Sequence, residues 1–112
     1  MCSSDLAFPA HEVRTPVDVI TAGRALLELA AGNHQGIFHL AGFSRVTRLE
    51  MARKIAARFG LPERLVVPAP AVGASGRAPR PRDVSLANHK ACAALKTPMV
   101  PLDEGLSLIL AA

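Results

Sequence analysis

Arginines in and beside a proline-stiffened stretch are the residues of this sequence best suited to chemistry. Arg77, Arg80 and Arg82 lie within or next to residues 68–81, which hold four prolines and two glycines. A guanidinium is a planar fork of N–H donors, and forks carried on a restrained backbone suit the paired oxygens of a diphosphate. Arg14, far back in the sequence at the start of a β-rich stretch, can face the same anion; a solvated basic loop fits the same residues. Other chemistries find less support. No serine sits in a G-x-S-x-G elbow, and Gly73 and Gly76 lie inside the proline-rich loop, not in a strand-to-helix turn that would cradle a cofactor pyrophosphate. Asp103 and Glu104 open a helix, where acids complement the positive end of the dipole. His11, His34, His39 and His89 lack ligand spacing, and Cys2 and Cys92 form neither a metal pair nor a disulfide framework. The residues themselves therefore offer an anion site, with no catalytic group and no metal.

The composition narrows the partners. A chain of 112 residues is one domain or part of one, and with half its residues hydrophobic and a fifth charged it is not disordered. No apolar run approaches the roughly 20 residues of a membrane span, and the start has no signal-peptide pattern, so a soluble, cytoplasmic protein is expected. The formal charge is +4, but the thirteen Lys and Arg are scattered and there is no Trp or Tyr to interleave with them. That argues against nucleic acid and for a metabolite phosphate.

The elements that must position these arginines alternate. Residues 13–20 read as an irregular or edge strand, followed by a helix capped by Thr21, with Ala22, Ala25, Leu26, Leu29 and Ala30 inward and Gly32-Asn33 at its end. Residues 37–40 read as a strand. Thr47-Arg48-Leu49-Glu50 is a capping box opening a helix with Ala52, Ile55, Ala56 and Phe59 on one stripe, and Gly60 and Pro62 stop it. Leu65, Val66 and Val67 read as a short strand and 83–86 as a doubtful one. Asn88 is placed to cap a short helix, and a last helix over 102–110 turns Leu102, Leu106, Ile109 and Leu110 inward. The expected class is α/β, with short strands and about four helices. Residues 1–11 are expected to be a leader, non-native or disordered, because Cys2 to Leu6 can be encoded by the end of a sequencing adapter; residues 12–112 form the folded region.

The ordered set Arg14-Thr15-Pro16-Val17-Asp18-Val19, GIFHLAG, a capped helix ending FGLP, RPRDVSL, Lys90-Ala91, Thr97-Pro98 and Leu102-Asp103-Glu104-Gly105-Leu106 resembles the C-terminal, substrate-binding portion of dTDP-4-dehydrorhamnose reductases. These are RmlD-like members of the extended short-chain dehydrogenase/reductases. The resemblance implies that Arg14 and Arg80, the latter in the R-P-x-D segment 80–83, contact the diphosphate of a nucleotide-sugar substrate. It also implies that the Rossmann part with the Gly-rich turn, and the catalytic Tyr and Lys, belong to an N-terminal part missing here; this sequence has no Tyr. The complete enzyme would use NADPH or NADH, while this portion would bind neither. The sequence departs from the pattern at Thr21, where the family has an acidic cap, at Ala87, where Asp is frequent, and at Pro101, where a Ser-type cap is usual.

The resemblance extends to nucleotide-sugar epimerases and to non-catalytic regulatory or interaction subunits of the same family. An autonomous nucleic-acid module is a third alternative, given little weight by the composition. Without the N-terminal part, Leu26, Leu27, Leu29, Ile37, Phe38 and Leu40 are expected to leave an apolar patch and to promote self-association.

Overall fold

The computed structural model of the protein describes residues 6–69 and 81–111. They fall into two compact units, one of residues 6–14, 46–69 and 81–85, the other of residues 15–45 and 86–111.

The first unit is built on helix α2 (Arg48–Arg58). The capping box expected at its start is present: the Glu50 N–H donates to Thr47 Oγ1 at 3.1 Å and the Thr47 N–H to Glu50 Oε1 at 2.8 Å. Its end is a Schellman turn, in which the Leu61 N–H reaches Ala56 O at 2.9 Å and the Gly60 N–H reaches Ala57 O at 3.2 Å. The inward stripe is Leu49, Ala52 and Ala56. Ile55 is only half-buried and Phe59 is 53% exposed. A small sheet is formed by β1 (Leu6–Phe8) parallel to β4 (Val66–Pro68), with Leu6 opposite Val66. Phe8, Ala10 and Val66 pack with the stripe. Leu6, Ala7 and Phe8 thus form a strand inside the stretch expected as a leader. Pro9 O and Glu12 O also accept the first free N–H groups of α2, those of Leu49 and Arg48. A second pair, β2 (Val13–Arg14) antiparallel to β3 (Val46–Thr47), leads into the helix.

In the second unit α1 (Val19–Ala31) packs against α4 (Leu102–Ala111), and Ala25 of α1 forms a buried cluster with Ala91 of α3 (His89–Ala94), Leu95 and Met99. Several expectations are corrected in it. The N-cap of α1 is Asp18, whose Oδ2 accepts the Thr21 N–H at 2.8 Å, while Thr21 is buried inside the first turn. The cap is therefore acidic after all, three residues before Thr21. The strand expected over 13–20 is cut to two residues, since Pro16 has no N–H and Asp18 is committed to the helix.

Residues 37–40 are not a strand. Phe38 and Leu40 pack on the core while Ile37 and His39 face out. Alternation reports one buried face, and here helices satisfy that face without a ladder. Asn88 precedes α3 but its side chain makes no cap bond; Nδ2 donates instead to Ala41 O at 2.8 Å. Helix α4 buries Leu102, Gly105 and Leu106 but leaves Ile109 and Leu110 38% and 44% exposed. The cap missing at Pro101 comes from a distant residue, Ser44, whose Oγ accepts the Leu102 N–H at 2.9 Å.

Two glycines separate backbone conformation from packing. A Cβ at Gly23 or at Gly60 would meet nothing within 4 Å, yet Gly23 is inside α1 and Gly60 has φ +71°. Gly23→Ala should stabilise the chain by about 0.5–1 kcal/mol. Gly60→Ala should destabilise it by about 1–2 kcal/mol, and Thr47→Ala by about 1 kcal/mol. Urea unfolding midpoints check all three; a shared sign for the two glycine variants would contradict the assigned backbone.

Candidate functional site

Strand β2 positions Arg14, and the backbone of Val13 decides what lies beside it. The Val13 N–H donates to Arg82 O, and Val13 O accepts the Val84 N–H at 3.2 Å, which makes a parallel bridge between Val13 and Asp83. The doubtful strand at 83–86 is this single bridge. On the other edge β2 pairs with β3, Val13 opposite Thr47. The arginine-bearing strand therefore lies between the start of α2 and the end of the R-P-R-D segment, all within the first unit.

The Arg14 guanidinium turns back along its own strand. Nη1 donates to Val13 O at 2.8 Å and Nη2 to Glu12 Oε1 at 3.0 Å. Arg48, the first residue of α2, brings its Nη1 to 3.5 Å from the same Glu12 oxygen. Its backbone is anchored there by the bond from the Arg48 N–H to Glu12 O at 3.0 Å. Two guanidiniums thus share one carboxylate, leaving a positive excess. Arg82 is exposed, and Asp83 turns the chain by accepting the Ser85 N–H on Oδ1 at 2.9 Å. Arg77 and Arg80, the second expected anion ligand, lie outside the described residues.

Sequence reasoning singled out Arg14 but not its neighbours Glu12 and Arg48. The two are 36 positions apart and meet only because Val13 pairs with Thr47; the capping box at Thr47 was visible, its strand partner was not.

The sequence model of the RmlD substrate binding domain matches residues 4–112. The chain belongs to that family. Among solved structures, this RmlD substrate binding domain is similar to a protein described as a hypothetical dTDP-4-dehydrorhamnose reductase from Sulfolobus tokodaii, with a TM-score of 0.70 and 32% identity. The similarity covers 87% of this chain but 35% of that one, so the chain spans about a third of the length of its structural relative. No curated protein matches it. The mixed architecture of short strands and four helices is that of the substrate-binding portion of such a reductase. Among the described residues no helix is long and apolar enough to cross a membrane, and no three His, Cys, Asp or Glu side chains gather as a metal site.

Two carboxylates are tuned by hydrogen bonds, neither of them to an arginine. Glu28 on α1 accepts the Lys96 N–H at 2.6 Å and the Thr97 N–H at 2.9 Å, together with the Thr97 hydroxyl at 2.7 Å. These bonds, the Lys96 one foremost, hold its carboxyl below the ordinary value of 4.5. Glu50 is lowered likewise, first by the Thr47 N–H. Both pKa values are depressed in the folded state, so the stability they contribute is present above the unfolded value and is lost as pH falls through the folded one. Thermal melts should therefore decline below about pH 4.5, and Glu28→Gln with Glu50→Gln should flatten that decline. A decline of unchanged steepness in the double variant would assign it to other groups.

Proposed function

We propose that this chain is the nucleotide-sugar binding portion, specific for a dTDP-sugar, of an NAD(P)-dependent oxidoreductase resembling dTDP-4-dehydrorhamnose reductase. The observation that carries the proposal is the family match over residues 4–112, to a domain described as substrate binding. The relative of known structure, described as a hypothetical reductase and about two and a half times as long, supports the same direction.

In this proposal Arg14 and Arg80 hold the substrate diphosphate. The bridge from Val13 to Asp83 supports the pairing, because it runs the last residues of the R-P-R-D segment beside the strand that carries Arg14. The described residues do not fit the pyrophosphate of a nicotinamide cofactor: Gly23 lies within a helix, Gly60 ends one, and Gly42 is pressed between the Pro16 and Val100 carbonyls. None opens a helix after a strand with its N–H groups turned outward. In this proposal NADPH or NADH, and the Tyr and Lys that would serve the transfer of hydride to a 4-keto sugar, belong to a Rossmann part outside these residues. The chain itself acts by recognition, in the cytoplasm.

The apolar surface agrees with such an arrangement. In the second unit Leu26, Leu27 and Ile37 are exposed, the last two at 73% and 76%, whereas Leu29, Phe38 and Leu40 pack on the core. The expected patch is therefore drawn from the first three residues.

Calorimetric titration of the chain with dTDP should show binding that Arg14→Gln weakens, with no oxidation of NADPH or NADH when a dTDP-4-keto sugar is added. Binding unaffected by Arg14→Gln, or turnover that survives repurification, would overturn the proposal. The chain should also bind a hydrophobic dye and self-associate, and a Rossmann part from a related reductase should suppress both. A dye-silent monomer at high concentration would show that the exposed leucines need no partner.

A further inference from the structure

The arrangement of Glu12 between two arginines carries a step beyond the assignment of Arg14, on which it rests. We infer that Arg14 and Arg48 form a two-pronged site for a phosphate-class anion, and that Glu12 fills this site when no ligand is present.

The geometry of sharing is the first argument. Carboxylates pair best with arginine when two oxygens meet two N–H groups of one fork. Here a single oxygen, Glu12 Oε1, lies 3.0 Å from Arg14 Nη2 and 3.5 Å from Arg48 Nη1. The two forks together offer more donors than that oxygen can accept, and two positive charges face one negative one. A phosphoryl group carries more oxygens and more charge, and can address both forks at once.

Accessibility and anchoring are the second. The side chains of Arg14 and Arg48 are 26% and 32% exposed, and that of Glu12 is 16% exposed, so all three are partly open to solvent. Their spacing is set by backbone, through the Val13–Thr47 pair and the bond from the Arg48 N–H to Glu12 O. The start of α2 supplies none of the donors. The N–H groups of Arg48, Leu49 and Glu50 are taken by Glu12 O, Pro9 O and Thr47 Oγ1. The site is therefore made by side chains, and an entering anion displaces Glu12 Oε1 into solvent without disturbing the helix.

The test is a titration of the 112-residue chain with inorganic pyrophosphate at low ionic strength. It is followed by calorimetry and by the arginine Nε–Hε resonances, with circular dichroism confirming that each variant is folded. The Arg14 and Arg48 signals should shift together with one Kd. Arg48→Gln should weaken binding by roughly two- to fivefold, as expected for half-exposed charge pairs, and Arg48→Lys should restore part of the loss. Glu12→Gln, which keeps the shape but removes the competing charge, should tighten binding by roughly two- to fivefold. Arg53→Gln, on the same helix but outside the cluster, should change nothing. Unchanged affinity in Arg48→Gln, or weakened affinity in Glu12→Gln, would overturn the inference. Loss of binding in Arg14→Gln alone would refute it while leaving the assignment of Arg14 intact. If pyrophosphate shifts neither arginine, both fall.

Discussion

The first unit depends on one residue's backbone. Val13 uses its N–H and C=O on one edge, toward Arg82 and Val84, and presents its other edge to Thr47. In a two-residue strand there is little redundancy, so these bonds, with the Arg14–Val46 pair and the bond from the Arg48 N–H to Glu12 O, fix its placement. They decide where Arg14 stands and bring Glu12 onto the start of α2. They also align the end of the R-P-R-D segment with both. Side chains of opposite charge then settle into positions that the main chain has already assigned, the order in which a recognition site gains precision from a rigid frame.

The second unit reaches the same end by other means. Its described residues form no sheet, and its connecting segments are tied by side chains that bond to distant backbone: Glu28 to the turn at Lys96 and Thr97, Asn88 to Ala41, and Ser44 to the start of α4. Buried or half-buried peptide groups must find partners, and where no ladder exists polar side chains supply them. Asp18 does two jobs in this scheme. One oxygen caps α1, and the carboxylate lies so near Gly105 that a Cβ there would come within 2.9 Å of Oδ1.

What could be read from the sequence divides along the same line. The capping box at Thr47 and the stop at Gly60 involve residues three or four apart, and local chemistry decided both. The family emerged from an ordered series of short motifs covering most of the chain. The choice of Asp18 over Thr21 was not legible, because both are good caps and only the fold shows Thr21 buried within the first turn. Asn88 stands at the N-cap of α3 as expected, but its side chain is taken by a carbonyl 47 positions away. The apolar alternation at 37–40 was real, but periodicity reports which side is buried and not what buries it. Of the proposed anion site, Arg14 was singled out from its motif, whereas the closeness of Glu12 and Arg48 followed only from a pairing register.

The wide separation of these partners bears on how the chain is made. Thr15 Oγ1 accepts the Leu86 N–H across 71 positions, and the bridge at Val13 spans nearly as many. A ribosome adds roughly 5–20 residues each second, so β2 waits for several seconds with the edge that Arg82 and Val84 will cover still open. An open strand edge is an invitation to other chains, and here the interval is kept harmless by brevity: two residues, one of them an arginine, are too short and too charged a template to recruit a neighbouring nascent chain.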